Sequence, residues 1–334
     1  MNNSNSTGCI IDLRVDQTFI PVLYGCVFCV GLPTNCLALY GLYRLVKADY
    51  ALPIYAINLL LADLLQIATL PLWIDYYHGG HKWHFGKGVC KVIGCSFYIS
   101  LFVSIFFMCC ISLERYLAIV HPLFFQTQRA LWKVCVLCLA VWLFFIAGVV
   151  SGFNIGFESE SPNTFCMEAF PAKTEFAIFQ LMSIPLTFLV PLSFLVFVSL
   201  RVRRSLARSV SVSKREKTRI TGLLLLIVLM FLLIFGPYHF IRAVRYTGII
   251  MVQDACGFES RLFLYFQISL GVLSVNSLLD PVMYIFICRD ARKEVLDSFP
   301  CIWRIVGVTD DSNTPSTDQA EIEPCRVSVS ANHQ

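Results

Sequence analysis

Long apolar stretches separated by short polar connectors dominate the chain. Seven of them follow one another, at about 19–46, 52–77, 89–120, 131–153, 176–200, 220–250 and 262–287. Each is as long as, or longer than, the roughly 20 residues that cross a bilayer as a helix. In hydrocarbon no water pairs with backbone N–H and C=O groups, so each segment must satisfy its own, which means a helix. The third stretch is the clearest: no charged side chain falls between Lys91 and Glu114, and the run starts at Cys90 and stops on Glu114-Arg115-Tyr116. The pattern predicts an all-α membrane protein, a seven-transmembrane helix bundle over residues 19–287.

The connectors orient it. Every second one is basic, with Arg44 and Lys47, then Arg129 and Lys133, and finally Arg289, Arg292 and Lys293 after the last stretch. The connector at 201–219 carries Arg201, Arg203, Arg204, Arg208, Lys214, Arg215, Lys217 and Arg219 against one acid, Glu216. Basic loops face the cytoplasm. Residues 1–18 are therefore an extracellular N-terminus and the C-terminus is cytoplasmic, the arrangement of a multi-pass plasma-membrane protein. The N-terminal segment has no apolar signal-peptide core. Its triplets at Asn2 and Asn5 are glycosylation acceptors. Residues 288–300 alternate charge with Val295, Leu296 and Phe299, which predicts a short amphipathic eighth helix on the inner leaflet. Cys301 is placed for palmitoylation. Residues 301–334, rich in Ser, Thr, Asp and Glu, read as a disordered tail with phosphorylatable hydroxyls.

Composition narrows the class. The 334 residues are 57% hydrophobic and 14% charged, against about 25% charged in soluble domains; lipid must cover part of the surface. The 15 cysteines show no zinc-finger spacing, and no H-E-x-x-H occurs. No metal cofactor, enzymatic activity or nucleic-acid partner is expected. A seven-span transporter is the alternative from another class. It typically carries internal repeats and helices broken at mid-membrane, and no repeat is visible here.

Five polar residues lie inside apolar runs, where they are costly and mark function: Asn35, Asp63, Arg115, Asn276 and Asp280. In order along the chain stand G-L-P-T-N at Asn35, L-A-D-L-L at Asp63, E-R-Y at 114–116, Trp142, Pro191, F-G-P-Y around Pro237 and D-P-V-M-Y at 280–284. Together they resemble the rhodopsin-like (class A) G protein-coupled receptors over about residues 19–299. The resemblance implies a heterotrimeric G protein as partner, with arrestin at the phosphorylated tail. Glu114 then holds Arg115 in an inactive ion pair, and Arg115 and Tyr116 face the G protein on activation. Phe231 and Pro237 belong to the hinge of the sixth span, and Tyr284 swings inward. Asp63, Ser104, Asn276 and Asp280 are candidates for an allosteric sodium site. The resemblance pairs Cys90 with Cys166 and Cys9 with Cys256. One departure is Leu200, where the family commonly has Tyr.

Several stretches, among them L-P-L-W-I-D-Y-Y-H-G-G-H-K-W-H-F, T-F-C-M-E-A-F-P and A-C-G-F-E-S-R-L-F, resemble the proton-sensing, lysolipid-linked group of these receptors. His78, His81 and His84 crowd the end of the second span, and histidine titrates near ~6.5. On acidification they gain charge, repel Lys82 and Lys87, and attract Asp75, Glu168 or Glu259; Asp63 and Asp280 add a buried acid pair. Three positions depart from the group: Phe145 stands where it often has Glu, and Asn163 and Gln267 where it often has His. A second reading starts from His239 and Arg242, one turn apart on the sixth span. With Tyr238 and Gln267 they form a candidate pocket for an anionic lysolipid or, with fewer cations than such a ligand needs, a nucleotide-like one. Arg242 can instead pair with an acid such as Glu168.

Overall fold

A computed structural model describes residues 11–46, 52–128, 130–156, 165–168, 170–209 and 212–287. The described residues are helical apart from short loops. Their helices are α1 (Phe19–Val46), α2 (Leu52–His78), α3 (Gly86–Val120), α4 (Pro122–Gln128), α5 (Leu131–Gly156), α6 (Thr174–Ile184), α7 (Val190–Arg208), α8 (Lys214–Met230), α9 (Gly236–Met251), α10 (Ala255–Ser274) and α11 (Asn276–Ile287). Seven continuous helical rods among them are long and apolar enough to cross a membrane. They follow the seven predicted stretches and overrun several ends, because polar caps carry helix into the connectors. Ser213 caps α8 by accepting from Glu216 N–H, and Asp254 caps α10 by accepting from Gly257 N–H. Helix α4, too short and polar for a hydropathy signal, starts with Pro122 at its first position, where a missing N–H costs nothing.

The fifth and sixth rods are not uniform. A π-helical turn at Pro185–Leu189 joins α6 to α7, and another at Phe231–Phe235 joins α8 to α9. Each lies just ahead of a proline, Pro191 or Pro237, whose missing N–H frees the carbonyl four residues back. The sequence expects a kink at Pro237; the structure has a wider, π-helical turn just ahead of it. The seventh rod is interrupted at Val275 between α10 and α11.

Pro281 likewise cannot donate to the carbonyl of Ser277, and Asn35 supplies the donor instead. Asn35 Nδ2 reaches Ser277 O at 2.7 Å and Gly31 O at 2.8 Å. One side chain thus pins α1 to the seventh rod. Asn35→Ala leaves that buried carbonyl unpaired and is expected to cost about 1–3 kcal/mol, read as a lower Tm of the purified protein; an unchanged Tm would show that the contact is dispensable.

Helix α3 is the axis, packed against α2, α5 and α7. The largest core cluster surrounds it, with Phe107, Met108, Ile111, Phe231 and Phe235 buried together. Helix α1 lies on α2 and α11, and α6 on α9. Phe144, Leu186, Leu233 and Phe240 are exposed, an outward apolar surface suited to lipid. The 288–300 helix, Cys301, Asn2, Asn5, Cys9 and Asn163 lie outside the described residues, as does the side chain of Tyr284.

Candidate functional site

Two local devices build the end of the bundle that carries Cys90. The disulfide Cys90–Cys166 ties the first turns of α3 to a segment 76 residues later. Cys166 is buried, and Glu168 follows two residues on. Beyond α2 the chain folds back on itself. His81 N–H bonds the carbonyl of Tyr76 at 2.9 Å and Gly79 N–H that of Asp75 at 2.8 Å. Gly80 and His81 both have positive φ, 70° and 61°, a left-handed helix ending that glycine makes accessible. The turn swings the His81 imidazole inward, against the rings of Tyr76 and Tyr77 at 5.1 and 5.0 Å.

His81 is wholly buried between two acids. Its Nε2 lies 3.0 Å from Asp16 Oδ1 and its Nδ1 2.7 Å from Glu168 Oε2. A neutral imidazole has one N–H, so donating to both carboxylates requires the imidazolium. Burial pushes the His81 pKa down, but the hydrogen bonds and charges of Asp16 and Glu168 outweigh it and raise the pKa from 6.5 to about 9. Glu168 is shared further. Its Oε2 accepts from Tyr76 O–H at 2.6 Å and its Oε1 from Gln267 Nε2 at 2.8 Å; Gln267 Oε1 accepts from Tyr77 O–H at 3.2 Å. One proton thus joins the segment before α1, the end of α2, the disulfide loop and α10.

The structure separates the three histidines. His78 and His84 are exposed, with Lys82 and Asp75 also at the surface. Glu259 is buried away from His81 and pairs with Arg245, whose Nη2 reaches Oε1 at 2.8 Å. The Arg245 guanidinium lies 4.3 Å from the Phe266 ring. Asp16, Tyr76, Tyr77 and Arg245 are the residues that sequence reasoning missed. Arg245 carried a signal, one turn beyond Arg242 on the same helix; Asp16, in a polar stretch before α1, carried none.

Of the ligand-pocket candidates, Tyr238, His239 and Arg242 are buried together. Arg242 Nη2 donates to Gln180 O at 3.1 Å, to Gln180 Oε1 and to Ser183 Oγ. Gln267 serves the His81 network instead. Phe145, at the position of an expected acid, stacks on Phe102 with ring centroids 5.9 Å apart.

Deeper in the bundle Asp63 and Asp280 are both fully buried. Ser277 Oγ donates to Asp63 Oδ1 at 3.2 Å and Asn276 Nδ2 to Asp280 Oδ2 at 2.8 Å. Ser104 is buried too, but Ser277 is the hydroxyl on Asp63. At the far end Arg115 is buried and Glu114 half-buried. Tyr116 meets His121 at 3.2 Å. Phe231 stacks on Phe188, centroids 5.6 Å apart, six residues before Pro237. Leu200 is exposed on α7. Cys256 is disulfide-bonded; its expected partner, Cys9, is outside the described residues.

The model of the 7 transmembrane receptor (rhodopsin family) matches residues 34–284. The chain is 31% identical over 300 residues to G-protein coupled receptor 68 of Homo sapiens, covering 88% of this chain and 80% of the relative. It is 30% identical over 295 residues to Probable G-protein coupled receptor 132 of Mus musculus, covering 87% and 76%. With G-protein coupled receptor 183 of Salmo salar it shares 30% identity over 294 residues, covering 84% and 79%. Three quarters of the chain lies inside the family match; the chain belongs to the rhodopsin family of seven-transmembrane receptors, and it is a receptor, not an enzyme.

Proposed function

We propose that this receptor stands in the plasma membrane with its N-terminus outside and senses extracellular protons through His81, signalling to a heterotrimeric G protein. The observation that carries the reading is the imidazole buried between Asp16 and Glu168. Only the protonated ring satisfies both acids. When the ring is neutral one carboxylate loses its donor, and the segment before α1 and the disulfide loop can part from α2. Acid therefore favours the joined arrangement, and that arrangement is the signalling one.

At the opposite end, Arg115 and Tyr116 face the G protein as α8–α9 hinges at the turn before Pro237, with Phe231 moving against Phe188 and Tyr284 turning inward. Glu114 tunes Arg115, and arrestin engages the phosphorylated tail. Asp63 Oδ2, Asn276 Oδ1 and Asp280 Oδ1, on three of the four expected sodium-site residues, are buried without a hydrogen-bond partner among the described residues. Such oxygens suit a hard cation, and these residues would hold a sodium ion that restrains the bundle.

The test is a second-messenger readout in cells stepped from about pH 8.5 to about pH 6. A signal that climbs with acidity supports the reading, and a flat one at every pH sinks it. The double variant His78→Gln/His84→Gln is expected to keep the midpoint within about 0.3 pH unit, since solvent and salt screen exposed charges. A larger displacement would move the sensor from His81 to the surface histidines.

A further inference from the structure

Gly94 is a notch in the axis helix, and Met167 fills it. Gly94 is buried on α3, one turn after Cys90 and so on the same face. The disulfide sets Cys166 on the first of these positions and the next residue, Met167, on the second. A Cβ at Gly94 would fall 2.6 Å from Met167 Sδ and 3.0 Å from its Cγ, and closer still to Cε, well inside van der Waals contact. An unbranched thioether suits such an irregular gap. Met167 has a φ of 66°, in the left-handed region that a residue with a Cβ seldom adopts, so its surroundings rather than its own preference set its direction. Two clusters of buried side chains meet here. One holds Tyr76, Trp83 and Cys166 beside the proton site, and the other surrounds α3 with Phe107 and Phe231. Among the described residues Met167 is the one partly buried side chain packed against both. The next residue, Glu168, is the acid that bonds His81, Tyr76 and Gln267.

We propose that Met167 is the positioning residue that carries the protonation of His81 to α3, acting as a wedge in the Gly94 notch; this rests on the proton reading above. The groups that face His81 are Asp16 from the segment before α1, Glu168 from the disulfide loop, Tyr76 and Tyr77 from α2, and the uncharged ring of Phe263 from α10. The imidazolium holds Glu168, and Glu168 holds its neighbour Met167 against Gly94. When the ring is neutral Glu168 is released, and the wedge backs out. A packed core has discrete arrangements rather than a continuous range, so one side chain in or out at the junction can displace the rod. The other end of that rod carries Glu114, Arg115 and Tyr116.

Two readouts on the full-length receptor test this. One is second-messenger output per surface receptor across the acid range. The other is titration of the His81 ring in purified receptor, by NMR of carbon-13-labelled histidine, with its signal assigned by its loss in His81→Gln. Gly94→Ala pushes aside only the flexible end of Met167, so the helix backbone stays intact, and Met167→Ala empties the notch. Both variants are expected to keep His81 titrating while the maximal output falls at least about fivefold, the lower end of a coupling between sites. Met167→Leu, of similar volume, keeps the output. Undiminished output in both variants overturns the wedge. Loss of the His81 titration together with the output also overturns it, because Met167 would then belong to the proton site itself. A wild-type receptor with no acid response fails the proton reading and the wedge with it, whereas a wild-type response that both variants share fails the wedge alone.

Discussion

Replacing His81 with phenylalanine is expected to abolish the receptor's response to acid between about pH 9 and pH 6.5. The sign follows from linkage. His81 has a raised pKa in the joined arrangement, so the stability it adds is fully present below 6.5 and is lost as pH rises through about 9. The difference between the two protonation states is roughly 3 kcal/mol, a shift of about two orders of magnitude in a two-state population. Asp16→Asn and Glu168→Gln each remove one of the negative charges facing the imidazolium, lower its pKa, and move the midpoint to more acid pH by about one unit. Phenylalanine alone leaves the two acids facing one another. The triple variant Asp16→Asn/His81→Phe/Glu168→Gln removes that repulsion and separates lost sensing from lost folding, with surface expression as the check. A positive φ at His81 makes glycine tolerable there, so His81→Gly with added imidazole should regain a response. An acid response that survives in the triple variant would place the sensor elsewhere.

Loss of the Cys90–Cys166 disulfide is expected to produce the second large effect, on stability and sensing together. The bond closes a 76-residue separation, and removing a native bridge of this kind costs about 2–5 kcal/mol. Cys166 sits in the cluster with Tyr76, Tyr77 and Trp83, and its N–H lies 3.4 Å from Tyr76 O–H. Met167 fills the space beside Gly94, which has no Cβ to exclude it, and Glu168 follows. Cys90→Ala/Cys166→Ala should therefore lower surface expression and Tm. In the surviving receptor it should shift the acid midpoint downward, because Glu168 is no longer held on His81. A variant with a lower Tm and an unmoved midpoint would show that the bridge stabilises the fold without placing the sensor.

The spans were legible because crossing a bilayer is a property of segment length and hydropathy, both local. Phe19–Val46 was read to the residue, since nothing outside the segment decides it. The pairing of Cys90 with Cys166 was legible through its resemblance to a family pattern. The break in helix form at Pro237 was legible in kind, because a missing N–H is a covalent fact; the π-helical turn that absorbs it was not, since the choice depends on packing against Phe188.

The candidate site was legible only in its ingredients. His78, His81 and His84 are equivalent in a sequence, six residues apart at most, and only the turn after Gly80 decides which ring points inward. The acids that give His81 its charge lie 65 and 87 residues away along the chain. One of them, Asp16, belongs to a segment whose polarity predicts exposure. Gln267 appeared as a lost histidine; the fold makes it the link between Glu168 and Tyr77. The sequence by itself thus determined a seven-span receptor, its motifs and the residue types available at each end. The tertiary structure decided which of those groups lose water together, because desolvation depends on what long-range packing brings alongside a side chain.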